Sequence, residues 1–337
     1  MKNERIILEE RPKGMPDDSN FKFEEIPTPE PKEGEVSLRT LYLSVDPYMR
    51  GRMNAGKSYV APFEVGKAIS GGAVAEVTES NHPGFSKGDM VLGNLDWQRY
   101  SKADGNHLRK IDPNAIPVTA ALGAAGMPGI TAYFGLLDIG KPQEGETVVV
   151  SGAAGAVGTV VGQIAKLKGC RVVGIAGSEE KITYITEELG FDAGINYKTT
   201  DDMNQVLKDT CPDGVDIYYD NVGGEISDAV MRRINKYARI VICGQIALYN
   251  LEKPDYGPRV QVQLIQKSAL MKGFTVGDYQ DRQKEAASAL GKWISEGKIT
   301  YRENIVEGFE NTLKAFFGLF HGENIGKQLV KVAESSR

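Results

Sequence analysis

The sequence predicts an α/β protein: a doubly wound parallel sheet preceded by a β-rich N-terminal region. Three observations predict it. Thr147–Ile175 reads as a β-branched run, a small-residue turn, an amphipathic stretch and a second β-branched run, one strand–helix–strand unit. Strand-like and helical stretches keep alternating after it, to about Trp293. Before it, residues 1–125 hold many short strand-like runs and no long helical pattern.

The N-terminal runs are Arg5–Glu9, Phe21–Ile26, Glu35–Leu43, Ala73–Thr78, Met90–Leu92 and His107–Ile111. Turn residues separate them at Pro27–Pro31, Lys32–Gly34, Gly71-Gly72, His82–Gly84, Lys87–Asp89 and Asp112-Pro113. Short strands closed by turns predict a small barrel-like domain. Val45–Met53 departs from this pattern and places Tyr48, Arg50 and Arg52 on a loop or helical turn.

Gly126–Gly129 marks a boundary, and Ile130–Leu137 reads as a helix. Thr147–Val150 is the first strand of the α/β region. Thr159–Lys168 is its helix, with apolar Val160, Val161, Ile164, Ala165 and Leu167 on one face and Gly169 as the C-terminal stop. Arg171–Ile175 is the second strand, and Ser178 caps a helix that ends at Gly190. Strands at Ala193–Ile195, Val215–Tyr219, Ala238–Cys243 and Ala269–Val276 complete a six-stranded sheet. Helices are expected from about Thr200, over Glu225–Lys236, and up to Trp293. The tail carries a helix at Phe309–Phe320 and a strand at Lys327–Val332.

The turn Ser151–Gly158 carries the chemistry. A pyrophosphate must approach the backbone where the helix starts, so side chains there must be minimal, and the free N–H groups and helix dipole then attract its charge. In the G-x-G-x-x-G frame the three positions are Ala153, Gly155 and Gly158. A site for NAD wants a carboxylate at the end of the second strand to hold the ribose hydroxyls. Here that place reads Gly177-Ser178 with Lys181 following, while Glu179 and Glu180 fall in the first turn of the next helix. Small residues and a lysine suit a 2′-phosphate, so the cofactor expected is NADP(H). Ligands of such a sheet sit at the carboxyl ends of the strands, which also selects Asn221, Gly244–Tyr249 and Phe274–Val276.

Length and composition set limits. The chain has 337 residues, enough for about two domains, with 41% hydrophobic and 25% charged residues. A net charge of −5 without a long basic run argues against nucleic acid or an anionic membrane as partner. No signal-peptide pattern or transmembrane-length apolar run is present, and Cys170, Cys211 and Cys243 stand singly, so a reduced, cytoplasmic protein is expected.

Six stretches together resemble a known family: A-A-G-A-V-G, V-G-Q-I-A-K-L-K-G-C, D-N-V-G-G, I-C-G-Q-I-A-L-Y-N, G-M-P-G-I-T-A-Y and D-P-Y-M-R-G-R-M. They are similar to the zinc-independent medium-chain dehydrogenase/reductases. Within these they resemble the leukotriene B4 12-hydroxydehydrogenase / prostaglandin reductase branch, with the plant double-bond reductases and bacterial curcumin reductase-like enzymes. The resemblance implies a Rossmann domain (126–298) inserted into a GroES-like catalytic domain (1–125), to which residues 299–337 return. It implies a homodimer and NADPH-dependent reduction of the carbon–carbon double bond of enals and enones. It also implies residues: Gly155, Ala156, Val157 and Gly158 at the pyrophosphate; Lys181 and Tyr197 at the 2′-phosphate. Asn221, Cys243, Gly244, Tyr249, Phe274, Thr275, Val276 and Asn324 would line the rest of the cofactor. Tyr249 would polarise the substrate carbonyl, and Tyr48 would line the substrate pocket. Arg50 and Arg52 receive no role.

Zinc-dependent relatives carry a Gly-His-Glu motif where this chain reads Gly66-Lys67-Ala68, and its histidines, His82, His107 and His321, lie far apart. No tetrahedral site is expected, which sets aside a zinc alcohol dehydrogenase. Two other readings share the cofactor site: an NADPH quinone oxidoreductase, and an NADPH-binding protein without turnover.

Overall fold

A computed structural model describes residues 2–336. The chain divides into two compact units, Met1–Gly123 with Glu303–Arg337, and Ala124–Arg302. The sequence boundaries were placed at 125/126 and 298/299.

The N-terminal stretch forms β1 (Asn3–Leu8), β2 (Phe21–Ile26), β3 (Glu35–Ser44), β4 (Ser70–Ser80), β5 (Met90–Asp96), β6 (Tyr100–Asp104) and β7 (Arg109–Ile111). The central unit holds β8 (Thr147–Ser151), β9 (Arg171–Ala176), β10 (Ala193–Asn196), β11 (Val215–Asp220), β12 (Ile234–Ile242) and β13 (Leu270–Gly273). The chain returns to the first unit with β14 (Glu303–Glu307) and β15 (Lys327–Lys331).

In the first unit β1 and β2 pair antiparallel, and a second sheet runs β14-β15-β3-β4-β5-β7 with β6 also on β3. All its pairs are antiparallel except β14–β15. Alternation along β4 sends Ala73, Ala75 and Val77 into one core and Val74 into another, and along β3 a register shift between Thr40 and Tyr42 lets Val36, Leu38 and Leu43 join the first core and Leu41 the second. Both faces are therefore covered.

In the second unit the order is β10-β9-β8-β11-β12-β13, and every pair is parallel. The order reverses between β8 and β11, where such sheets bind ligands. The central strand β8, Thr147–Ser151, is buried at every position, whereas the outer strand β13 is largely exposed. The glycine turn leads into the helix Gly158–Leu167, whose Val160, Val161, Ile164 and Ala165 are fully covered.

One expectation is corrected and three elements were not expected. The helix expected over Glu225–Lys236 spans only Gly224–Met231, because Ile234 already pairs with Val215 and begins β12. That strand turns through Tyr237 at a φ of 65°, a conformation propensity does not favour. Strand β6 was not expected: Tyr-Ser-Lys-Ala-Asp lacks a strand pattern and is held by pairing with β3. The helix Gln261–Lys267 and strand β14 were also unforeseen.

Candidate functional site

The exits of the parallel strands carry the site in the second unit. Gly152 takes a φ of +59° directly after β8. A Cβ on Gly158 would collide with the Gly152 carbonyl oxygen and lie 2.8 Å from the Ala153 Cα, so this turn closes only over glycine. A Cβ on Gly155 would lie 3.2 Å from the same oxygen. Ala153, the alanine at the first motif position, is fully buried, and its N–H bonds the Ile175 carbonyl at 3.1 Å. No side chain caps the helix that starts at Gly158, and the Thr159 and Val160 N–H groups in its first turn bond the Gly155 and Val157 carbonyls at 3.1 Å each.

At the exit of β9, Ser178 caps the helix Glu179–Thr183 by accepting the Lys181 N–H at 3.3 Å. Glu179 is bonded by the Asn196 side chain at 2.6 Å, which engages the nearest carboxylate that could face a ribose. Gly177 explains the rest. A Cβ there would lie 3.0 Å from the Tyr197 ring and 3.2 Å from the Lys198 Cε. Lys181, Tyr197 and Lys198 thus share one strand exit. Burial and the neighbouring Lys198 charge hold Lys181 below the usual lysine value. Two ammonium groups in mutual repulsion, with a serine at a helix start, form a donor set for a phosphate. Lys198 was not singled out from the sequence, although it stands beside Tyr197.

At the exit of β11, Asn221 is tied to Ser151. Its N–H bonds the Ser151 Oγ at 2.9 Å and its side-chain amide bonds the Ser151 carbonyl at 2.8 Å. Cys243 and Gly244 follow β12, and their N–H groups bond the Asp220 carbonyl at 2.9 and 3.1 Å. Burial pushes the Cys243 thiol up to about 12. Tyr249 closes the turn Ile246–Leu248, half-buried, and its hydroxyl accepts the Gln245 N–H at 3.2 Å. Burial raises its phenol, and the Gln245 N–H opposes the rise, so it is protonated at neutral pH. Phe274 follows β13 and packs where a Gly135 side chain would stand. Thr275 caps the turn Val276–Arg282 in exchange with Asp278.

Two expected residues belong to the first unit. Tyr48 opens the short helix Tyr48–Arg52, half-buried, with its phenol raised by burial and then by the Asp46 carboxylate. Asn324 bonds the Gly326 carbonyl at 2.8 Å in the approach to β15. The segment before Tyr48 is fixed by Lys327, whose buried ammonium bonds the Val45 carbonyl at 3.0 Å, the Asp46 carboxylate at 3.1 Å and the Gln328 carbonyl at 2.8 Å. Ser44 holds the other Asp46 oxygen. Arg50 is buried and bonds the Gly14 carbonyl at 2.9 Å and Asn54 at 2.7 Å, a structural staple. Arg52 bonds the Ala61 carbonyl at 3.0 Å and lies 3.9 Å over the Phe63 ring. Among the described residues no three His, Cys, Asp or Glu side chains converge as a metal ion requires.

Two family models match the chain: an N-terminal domain of oxidoreductase over residues 4–111 and a zinc-binding dehydrogenase over residues 156–292. YfmJ of Bacillus subtilis (strain 168), provisionally named an NADP-dependent oxidoreductase, is 60% identical over 336 residues, covering 99% of this chain and 98% of that protein. The NADPH-dependent curcumin reductase of Escherichia coli (strain K12) is 47% identical over 337 residues, covering 98% and 97%. The crystal structure of CurA from Vibrio vulnificus in complex with NADPH superposes with a TM-score of 0.93 at 46% identity, covering 98% of this chain and 99% of that one. The glycine turn and the lysine-lined exit of β9 fit such a cofactor. The chain belongs to the zinc-independent branch of the medium-chain dehydrogenase/reductases, with the curcumin and prostaglandin reductases, and is an NADP-dependent oxidoreductase.

Proposed function

We propose that the protein reduces the carbon–carbon double bond of α,β-unsaturated aldehydes and ketones. The observation that carries this reading is a neutral, half-buried tyrosine at a strand exit, Tyr249, whose hydroxyl oxygen is already occupied by the Gln245 N–H and whose proton is available to a carbonyl. NADPH supplies the hydride when bound, held by Gly155, Ala156, Val157 and Gly158 at the pyrophosphate and by Lys181, Tyr197 and Lys198 at the 2′-phosphate. Asn221, Cys243, Gly244, Phe274, Thr275, Val276 and Asn324 are assigned to the remainder of the cofactor. Reduction at the β-carbon leaves an electron pair spread over the α-carbon and the carbonyl oxygen. The Tyr249 hydroxyl donates to that oxygen, and stabilisation grows as charge builds there. The α-carbon then takes a proton from water or a tyrosine, completing the addition of hydride and proton. Tyr48 is assigned to binding the substrate. The named substrates of the relatives, curcumin and prostaglandins, support an enone of some length.

The test is Tyr249→Phe. Loss of one such donor costs about 2.7–4 kcal/mol, so kcat falls roughly a hundredfold or more while the NADPH dissociation constant stays within about twofold. A variant with kcat near wild type removes Tyr249 from the chemistry.

We also propose a homodimer. Strand β13 is the outer strand of its sheet, and Leu270 on it and Val262 and Ile265 on the neighbouring helix are 49%, 59% and 78% exposed. A bare edge beside apolar side chains invites a second copy.

A further inference from the structure

Asp220 lies at the switch point of the sheet and is fully buried. One of its oxygens accepts from the Ser151 hydroxyl at 2.9 Å, the Tyr218 hydroxyl at 2.8 Å, and the Val222 and Gly223 N–H groups at 3.0 and 2.9 Å. The other accepts from the Gln245 side-chain amide at 2.9 Å. These donors are all neutral, and together they fix the carboxylate in one orientation.

Gln245 is as tightly held. Its amide nitrogen gives its second hydrogen to the Gly244 carbonyl at 2.8 Å. Its amide carbon stands 2.8 Å from where a Cβ on Gly223 would be, and Gly223 has a φ of +76°. The side chain occupies a slot that only glycine leaves open. With both amide hydrogens committed, the backbone at Gln245 has little freedom, and its N–H is the group that bonds the Tyr249 hydroxyl at 3.2 Å. A buried anion, an amide and a backbone N–H thus form one rigid line from the sheet to the phenol.

We propose that Asp220 and Gln245 are positioning residues that act on the reaction through Tyr249. Asp220 locks Gln245, and Gln245 presents its N–H to the phenolic oxygen. That bond fixes the oxygen as an acceptor and directs the remaining proton outward, toward the substrate carbonyl. The same N–H favours the phenol's negative end while the proton is drawn toward the developing enolate. This deepens the reading given above and rests on Tyr249 donating to that carbonyl.

A double-mutant cycle tests it. Gln245→Met keeps length and volume but removes both amide hydrogens. The loss of one such hydrogen-bond link predicts a kcat about tenfold lower, with the NADPH dissociation constant within about threefold. In a Tyr249→Phe background the same substitution should lower kcat less than about twofold, because the group it acts through is gone. Equal losses in both backgrounds overturn the proposal, since a structural defect would act whether or not the hydroxyl is there. An unchanged kcat for Gln245→Met overturns it too. If Tyr249→Phe alone leaves kcat intact, the underlying reading fails first, and the two failures are told apart. Should Gln245→Met not fold, as judged by its circular dichroism, the cycle is run with Asp220→Asn, which keeps the shape and removes the anion. The same coupling is expected, and its absence counts against the proposal in the same way.

Discussion

Gly177 lacks a side chain, and that leaves room for Tyr197 and Lys198 at the exit of β9, where the Lys198 charge acts on Lys181. Lys181 was legible in the sequence because it follows the second strand at the distance where a ribose contact is expected. Lys198 was not, because it sits at the exit of the next strand and reaches Gly177 only through the pairing of β10 with β9. Gln245 lies in the selected stretch Gly244–Tyr249, but its bond to Asp220 was not legible for the same reason: one residue ends β11 and the other follows β12, and only the sheet brings them together. A charged contact to a phosphate is worth about 1.5–3 kcal/mol. Lys181→Ala and Lys198→Ala should therefore each weaken NADPH roughly ten- to a hundredfold in a titration and barely change NADH. Equal losses for both cofactors would refute the phosphate assignment. The pH dependence has a definite sign. Only protonated Lys181 attracts the phosphate, and its value is depressed by burial and by Lys198. The advantage of NADPH over NADH is expected to decline as pH rises through that depressed value, earlier than an ordinary lysine would give.

Elements were legible where local pattern and tertiary role agree. The Gly158–Leu167 helix has an apolar stripe and a glycine stop, and Gly169 takes a φ of +77° just beyond it. Pattern failed where pairing decides, as in β6 and in the early start of β12. The Lys327–Asp46 pair is also a product of pairing: β15 lies beside β3 and brings the C-terminal lysine to the segment before Tyr48. Strand β13 is the element on which the assembly depends. Ile265→Lys places a charge on the exposed side of the helix next to it, 78% open in one chain, so folding is expected to be spared. Light scattering should give the mass of two chains for the wild type and of one for this variant. A wild-type mass of one chain, or a dimeric variant, would contradict an interface at this edge.

For the whole molecule, the division of labour was readable from composition: short strands and turns in one part, alternating strands and helices in the other. Each unit is complete in its core, and the site residues fall at strand exits and in one short helix. The three thiols are covered or half-covered, with Cys170 pushed up to about 11 and Cys243 to about 12 by burial, so they stay protonated at neutral pH and are poor nucleophiles. That suits a protein proposed to handle electrophilic enals. No helix among the described residues is long and apolar enough to cross a membrane. The central claim is reduction of a conjugated double bond, and the most direct measurement follows NADPH absorbance with a trans-2-alkenal and identifies the product. Stoichiometric loss of NADPH with the saturated aldehyde as product is the result expected. An allylic alcohol as product, or turnover confined to quinones, would contradict it.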